Sequence, residues 1–427
     1  MPSSTATFQQ IEQPTRSYGT GSLHKADELH VERLRVALLT NEIPPYCVPY
    51  YQELASTSNW DLKVLTCTDR ETDRLWQVEK QLSFASKRCF SFSYHRTTRH
   101  QNRVTFKDRR QVHLPLGMLW DLYRFNPDVI LSGELGARTL IGALYARLRN
   151  RPLVVSFEGT PHTERNIKWS QRLLRRAIGQ IPHAYLVMGN QGQEYVQQLG
   201  IPPSAIFKIG QYIDLKSFAD RSSNTCRGAL RSKFGIQGQC FLYCGRLVSA
   251  KGVHLLLNAW KEFSRSDGIH ATLILAGEGD EKPRLQQYAA ENGLSNVCFL
   301  GHVAREQLPE IYQAADIFVF PTLIDCWGLV VNEALASGLP VILSQYAGSS
   351  ELISEGRNGW VTDPLNQADL LQKLRFAWEA RHQHEVMSAS ARQSVASLNI
   401  PVVAARVRKA VASVLRKRGI APQEAPR

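Results

Sequence analysis

Two carboxylates eight residues apart, Asp325 and Glu333, flank a stretch with the features of an anion-binding corner. The apolar run 317–320 before it is typical of a buried strand, and the apolar residues after Gly328 recur at helical spacing. A strand, a polar corner and a helix N-terminus together direct backbone N–H groups and a positive dipole end at one point, which favours an anion. Carboxylates beside such a site repel the anion itself, so hydroxyl groups on either side of it are their better partners. A nucleotide sugar has this layout, because its diphosphate lies between the ribose diol and the sugar hydroxyls.

The spacing of the two acids resembles the E-x7-E signature of the retaining glycosyltransferases of family 4. Asp325 stands where relatives usually carry the first Glu, and Glu333 stands at the second. The resemblance implies that this stretch binds the donor, through Asp325, Cys326, Trp327, Gly328, Leu329 and Glu333. The alternative is an ordinary strand–turn–helix unit with exposed acids, since short motifs also match by chance.

A second loop, Cys244–Val253 with the sequence CGRLVSAKGV, resembles the family's G-R-L-x-x-x-K-G element. The resemblance implies that Gly245, Arg246 and Lys251 bind the donor diphosphate. Two fixed cations stabilise the negative charge that develops on a departing diphosphate, and they do so without a metal ion. The chain also lacks a D-x-D sequence, the usual ligand set for a metal-bound diphosphate. We therefore expect no metal and no cofactor, with a nucleotide-diphosphate sugar as the co-substrate.

Other candidate residues match the family less well. His302 stands where backbone groups of relatives contact the base, so the resemblance implies that it belongs to the donor-binding residues. We expect it to be a loop residue without a catalytic role. After the strand predicted at Leu153–Phe157, many relatives place a His that contacts the donor sugar, whereas this chain has Glu158 there and His162 four residues later. Either Glu158 takes that position or His162 reaches back to it. The predicted catalytic residues are Arg246, Lys251, Asp325 and Glu158.

Strands alternate with helices along the chain, which predicts parallel, doubly wound sheets. The alternation breaks at the polar sequence DRSSNT, 220–225, and then restarts. With the motifs, this pattern resembles the GT-B architecture, an α/β fold with two doubly wound Rossmann-like domains facing a central cleft. Residues 68–115 are expected to be irregular. Four regions are expected: a disordered segment 1–30, an acceptor-binding domain 31–219, a nucleotide-sugar-binding domain 226–395, and a C-terminal helix and tail 396–427 that crosses back to the first domain in similar enzymes.

The 427-residue chain has a formal net charge of +13, and such an excess favours a polyanionic partner. The basic stretch 87–110 and a helix predicted over residues 166–180 are candidate surfaces for an anionic membrane, where a lipid-linked acceptor is reached. A solvated basic face over a core is the alternative. No nucleic-acid recognition motif accompanies the charge, so nucleic acid is not an expected partner.

Features of the N-terminus and of the cysteines indicate the compartment. Eight scattered cysteines form no C-x-x-C pair, as expected of buried thiols in a reducing compartment. The N-terminus lacks the apolar core of a secretory signal, and no apolar run reaches the ~18 residues of a transmembrane helix. We expect a cytoplasmic protein, with peripheral association at the inner face of the membrane.

The function expected from these features is transfer of a sugar from a nucleotide-diphosphate sugar to a lipid-linked or polysaccharide acceptor, with retained configuration. Within enzymes, the alternative is a nucleotide-sugar 2-epimerase of the same fold. From another class, the alternative is a non-catalytic scaffold of a polysaccharide-assembly complex.

Overall fold

The computed structural model describes residues 33–56, 59–70, 82–101, 105–219, 227–266 and 269–419. The predicted disordered segment 1–30 and the predicted linker 220–225 lie outside the described residues. We call residues 33–219 the first half and residues 227–395 the second half.

Fifteen strands occur among the described residues. In chain order they are β1 (Leu34–Thr40), β2 (Trp60–Thr66), β3 (Ala85–Arg88), β4 (Phe92–Gln101), β5 (Thr105–Leu114), β6 (Val129–Gly133), β7 (Leu153–Phe157), β8 (Ala184–Val187), β9 (Ile206–Lys208), β10 (Gln239–Cys244), β11 (Ala271–Ala276), β12 (Val297–Gly301), β13 (Ile317–Phe320), β14 (Val341–Ser344) and β15 (Gly359–Thr362).

Fifteen α-helices accompany them in the same part of the chain. They are α1 (Val48–Ser56), α2 (Met118–Phe125), α3 (Ala137–Leu148), α4 (Pro161–Glu164), α5 (Trp169–Gly179), α6 (Asn190–Gln198), α7 (Leu215–Ala219), α8 (Arg227–Lys233), α9 (Val253–Ser264), α10 (Lys282–Glu291), α11 (Leu308–Ala314), α12 (Leu329–Ala336), α13 (Gln367–Glu379), α14 (His384–Val395) and α15 (Ile400–Lys417).

The strands of the first half form a parallel sheet in the order β3-β2-β1-β6-β7-β8-β9. The strand order reverses between β1 and β6, which is the topological switch point where ligands bind in such sheets. The Glu158–His162 segment follows β7, so it lies at the carboxyl edge of this sheet.

The strands of the second half form another parallel sheet, in the order β12-β11-β10-β13-β14-β15. Every residue of β10, β11, β13 and β14 is buried, and these strands are mostly apolar, because helices cover both faces of a parallel sheet. The switch point lies between β10 and β13. The two motif loops follow these two strands, so the fold brings both loops to the same crevice.

The prediction that residues 68–115 are irregular is wrong for the part of this segment that the structure describes. Strand β3 extends the first sheet beside β2, and β4 and β5 form an antiparallel hairpin with Phe92 paired to Leu114 and Gln101 to Thr105. The hairpin strands pair with each other and with no other strand of the described chain. Their sequences, FSYHRTTRHQ and TFKDRRQVHL, lack the apolar runs by which the core strands were predicted.

The C-terminal helix α15 packs against α1 of the first half. Arg406 Nη1 donates a hydrogen bond to the Ile209 carbonyl oxygen at 2.8 Å, and Lys417 Nζ donates to the Ser204 carbonyl oxygen at 3.2 Å. The helix therefore joins the end of the chain to the first half. Among the described residues, none of the helices combines the length and the apolar character needed to cross a membrane.

Candidate active site

Asp325 lies in the polar corner between β13 and α12, and both of its carboxylate oxygens accept hydrogen bonds. Oδ2 accepts from Lys251 Nζ at 2.5 Å, and Oδ1 accepts from the backbone N–H of Trp327 at 3.2 Å. The Lys251 and Asp325 side chains are 15% and 19% exposed, so the ion pair is largely shielded from water but still accessible. The two predicted motifs thus meet through a direct ion pair.

A close backbone approach holds the Lys251 loop against this corner. Gly252 has a left-handed φ of +67°, and a Cβ atom there would lie 2.1 Å from the Pro321 carbonyl oxygen. Glycine is therefore required at this position, both for its conformation and for the space. The backbone N–H of Leu323 donates to the Ala250 carbonyl oxygen at 2.8 Å, which ties the two loops together.

Arg246 is exposed at the same edge, directly after Gly245. Its carbonyl oxygen accepts a hydrogen bond from the Tyr243 hydroxyl at 2.7 Å. Burial raises the pKa of Tyr243, and the charges of Arg246 and Asp325 both act on this hydroxyl, which places the two charged groups around the same point. Two cations and one carboxylate therefore surround the switch point of the second sheet.

The N-cap residue of α12 has no side chain that could cap the helix, because it is a glycine. Gly328 is the N-cap residue and Leu329 is the first helical residue. The Trp327 indole is buried, and its N–H donates to Asn332 Oδ1 at 3.0 Å. Only the backbone of Trp327 is therefore available to contact a nucleotide sugar. Cys326 is half-buried beside it. An uncapped helix N-terminus with a positive dipole end is suited to a diphosphate.

Glu333 lies in the middle of α12 and is 6% exposed. Its Oε2 accepts a hydrogen bond from the Tyr312 hydroxyl at 2.9 Å. Burial raises the pKa of Glu333 to about 7, against the lowering effects of the Tyr312 hydrogen bond and of the Arg305 charge. A buried carboxylate of this kind can accept hydrogen bonds from a diol, and ionising it without such partners costs free energy.

Glu158 and His162 occupy different places after β7. His162 Nε2 is 2.9 Å from the Leu323 carbonyl oxygen, and its ring stacks on Tyr346 at 4.6 Å between centroids, so His162 joins the two halves. Glu158 is exposed at this junction. Its low-dielectric surroundings raise its pKa to about 7, and the charges of Glu134 and Asp325 add to the effect. Contact with water at the open side limits this shift.

His302 is the predicted donor-binding residue that the structure leaves apart from this cluster. It is exposed after β12, the edge strand of the second sheet, where its backbone N–H bonds to Glu278. The described contacts do not link it to the Asp325 corner.

Sequence reasoning missed three residues that support the site: Tyr312, Tyr346 and Asn332. Asn332 is fully buried, and its Nδ2 donates to the Gln211 carbonyl oxygen at 2.9 Å, which fixes α12 against the segment that leaves the first half. A polar residue within the apolar helix sequence LVVNEALA was an available signal for Asn332. The two tyrosines carry no such signal, because their partners are distant in sequence.

The second half matches a known family. Residues 229–394 match the model of the family described as glycosyl transferases group 1. This region contains both motif loops, with Arg246, Lys251, Asp325 and Glu333. Residues 229–394 therefore resemble a group 1 glycosyltransferase domain.

Curated relatives match parts of this chain. A mannosylfructose-phosphate synthase from Agrobacterium fabrum is 35% identical over 156 residues, which cover 35% of this chain and 34% of the relative. An α-D-kanosaminyltransferase from Streptomyces kanamyceticus is 23% identical over 256 residues, covering 56% and 65%. A D-inositol 3-phosphate glycosyltransferase from Geodermatophilus obscurus is 30% identical over 215 residues, covering 48% and 46%. The aligned part of this chain thus spans between a third and two thirds of the length of these relatives.

Solved structures resemble the whole described fold. HepE from Anabaena, in complex with UDP, has a TM-score of 0.72 and 17% identity, covering 89% of this chain and all of that one. Sucrose-phosphate synthase from Thermosynechococcus elongatus has a TM-score of 0.71 and 17% identity, covering 90% and 100%. At this identity the likeness concerns the fold, and it confirms the predicted α/β fold of the GT-B type.

Proposed function

We propose that this chain transfers a sugar from a nucleotide-diphosphate sugar to a hydroxyl acceptor, with retention of configuration, as a glycosyltransferase of family 4. The observation that carries the proposal is the Lys251–Asp325 ion pair, with Arg246 beside it and the uncapped N-terminus of α12 at the same switch point. The UDP complex of HepE and the group 1 match of residues 229–394 support the same assignment.

Each charged group has a part in the proposed reaction. Arg246, Lys251 and the first amides of α12 bind the diphosphate and stabilise the charge that it gains on leaving. Lys251 shifts from Asp325 towards the phosphate oxygens, and Asp325 then accepts a hydrogen bond from the sugar. Glu333 accepts hydrogen bonds from the ribose diol. Glu158, on the first half, faces the reacting sugar from the acceptor side. The two cations make a metal or other cofactor unnecessary for this step.

We further propose that the acceptor is a lipid-linked or polysaccharide glycan and that the first half docks on an anionic membrane, at its inner face. Helix α5 exposes Trp169 by 79% and Leu173 by 62%, beside the exposed cations Lys168, Arg172 and Arg176. Exposed aromatic and basic side chains on one amphipathic helix suit an anionic bilayer surface. The segment at the base of the β4–β5 hairpin adds Phe90, 65% exposed, and Phe92, 57% exposed.

The proposed donor class is tested with a panel of nucleotide sugars and their free nucleoside diphosphates. A ligand that binds only the folded state must raise the melting temperature by mass action. We expect stabilisation by at least one nucleoside diphosphate, and slow hydrolysis of the matching nucleotide sugar. Absence of any stabilisation across the panel would favour the scaffold alternative, and return of an isomerised donor would favour the 2-epimerase.

A further inference from the structure

The polar corner between β13 and α12, which carries Asp325, is called the donor corner below. The turn segment Gly348–Leu352, which follows β14, contacts both the donor corner and the first half. On one side, the backbone N–H of Gly348 donates to the Asp325 carbonyl oxygen at 3.3 Å, and Ser349 Oγ donates to the Trp327 carbonyl oxygen at 2.6 Å. Two hydrogen bonds therefore join this segment to the corner that carries Asp325.

On its other side, this turn segment reaches the N-terminus of α6 in the first half. The backbone N–H of Asn190 donates to Glu351 Oε2 at 2.6 Å, and Gln191 Nε2 donates to Ser350 Oγ at 3.3 Å. A carboxylate at a helix N-terminus is stabilised by the free N–H group and by the helix dipole. Lys208 Nζ, which donates to Asn190 Oδ1 at 2.8 Å, adds a positive charge nearby.

The glycine at the N-cap position of α6 leaves room for this carboxylate. Gly189 has extended backbone angles that alanine also adopts, so its conformation does not require glycine. A Cβ atom at this position, however, would lie 2.6 Å from each oxygen of Glu351. The three nearest atoms to such a Cβ all belong to Glu351. The space at Gly189 is therefore filled by one side chain of the other half.

Helix α6 packs against α4, which directly follows the Glu158 segment and carries His162. A contact that fixes α6 to the turn segment Gly348–Leu352 thereby fixes Glu158 relative to Asp325. We propose that Glu351 is a positioning residue, which aligns the first half with the donor corner by accepting the Asn190 hydrogen bond at the N-terminus of α6.

The inference rests on the proposed function for its kinetic outcome but has a structural outcome of its own. Donor-binding groups lie on the second half, so loss of the Glu351 contact leaves the affinity for the nucleoside diphosphate and the KM for the donor unchanged. The kcat of transfer falls about 10- to 100-fold, the range for loss of one charge-assisted hydrogen bond. The amide of Asn190 exchanges hydrogen faster, because its acceptor is gone.

The experiment compares Glu351→Ala, Glu351→Gln, Gly189→Ala and the double variant Gly189→Ala/Glu351→Ala. Hydrogen exchange of peptides that cover residues 189–199 and 348–352 is measured together with kcat, donor KM and nucleoside diphosphate affinity. Gly136→Ala is the matched control, because Gly136 is also an extended N-cap glycine and a Cβ atom there meets nothing within 4 Å.

We expect faster exchange and a lower kcat in Glu351→Ala and in Gly189→Ala, and partial rescue in Glu351→Gln, which keeps an acceptor oxygen. The double variant should match Glu351→Ala, because the added methyl group then meets no carboxylate. Wild-type exchange in Glu351→Ala would overturn the proposal, and so would a Gly189→Ala effect that persists without Glu351. If the wild type turns over no nucleotide sugar, the proposed function fails, while the exchange data still decide the Glu351 contact.

Discussion

At the scale of single residues, the pairing of Lys251 with Asp325 changes how both motif residues are understood. Each holds the other within a shielded corner, with 2.5 Å between Nζ and Oδ2. An ion pair of this kind keeps both charges in place and ready for a ligand, and removal of one partner leaves the other partly buried and unpaired. The loss of either residue therefore affects the other, and variants must be compared with controls of similar burial.

The first prediction concerns the two cations. Arg246→Ala and Lys251→Ala should each lower kcat/KM by about 2–4 kcal/mol of transition-state stabilisation, because each removes a charge-assisted contact to the leaving diphosphate. The control is Lys373→Ala, since Lys373 is also paired with an acid, Glu355, and is likewise 15% exposed. Steady-state kinetics measure the effect, and full activity in either cation variant would remove the diphosphate assignment.

The second prediction concerns the shorter first acid. Asp325→Asn should lose most turnover and keep nucleoside diphosphate binding, because Arg246, Lys251 and Glu333 still bind the nucleoside diphosphate part of the donor. Asp325→Glu should also impair the native donor, because its extra methylene moves the carboxylate forward by ~1.5 Å, a displacement to which reacting groups are sensitive. The measurements are kcat/KM and nucleoside diphosphate affinity for both variants. Full turnover by Asp325→Asn would show that this residue does not act on the sugar.

The third prediction concerns pH. The pKa of Glu333 is raised to about 7 in the folded protein, so the folded state takes up this proton before the unfolded chain does. The contribution of Glu333 to stability therefore increases as the pH falls from about 7 towards the ordinary pKa of a glutamate, and it is lost as the pH rises through about 7. As the pH rises from 5 to 8, the free energy of unfolding of Glu333→Gln should increase by about 2–4 kcal/mol relative to that of the wild type. This estimate uses about 1.4 kcal/mol per pKa unit.

Denaturant unfolding at several pH values measures this difference. Glu291→Gln is the control for the same substitution at an exposed position, since Glu291 lies exposed on α10. A pH-independent difference for Glu333→Gln would contradict the raised pKa.

At the scale of helices and strands, the sequence was informative where burial decides the structure. Strands β7 and β13 are found at the predicted residues, because strands buried on both faces of a parallel sheet read as mostly apolar runs. The β4–β5 hairpin could not be recognised in this way, since its strands are held by their mutual hydrogen bonds. The short helix α4 and the edge strands β9 and β15 were also missed, as they offer too few residues for a periodic pattern.

The fourth prediction belongs to helix α5 and tests membrane docking. The protein should sediment with anionic vesicles and not with neutral ones, and high salt should release it. The variant Trp169→Ala/Leu173→Ala should weaken this binding, whereas Val386→Ala, at a residue on α14 that is 72% exposed, should not. Sedimentation that is indifferent to lipid charge would end the docking hypothesis.

At the scale of the whole molecule, two parallel sheets present their carboxyl edges to each other, and the contacts between the halves lie at the proposed site. His162 of the first half forms a hydrogen bond with the Leu323 carbonyl oxygen and stacks on Tyr346 of the second half. Asn332 of the second half donates a hydrogen bond to the Gln211 carbonyl oxygen of the first half. The motif spacing predicted that the loops of Lys251 and Asp325 come together. It could not predict these contacts between the halves, because each of them joins residues that are more than a hundred positions apart, and the spacing within a motif carries no information about a partner outside it.

The most direct test of the proposed reaction is to identify the products that form from a nucleotide sugar that stabilises the wild-type protein. Nuclear magnetic resonance of the reaction mixture distinguishes a released nucleoside diphosphate with transferred or free sugar from an isomerised, intact donor, and it reports the configuration of the anomeric carbon. We predict release of the nucleoside diphosphate, an anomeric configuration that is retained in the first-formed product, and loss of the reaction in Arg246→Ala/Lys251→Ala. Recovery of an isomerised donor, or an inverted product, would contradict the account.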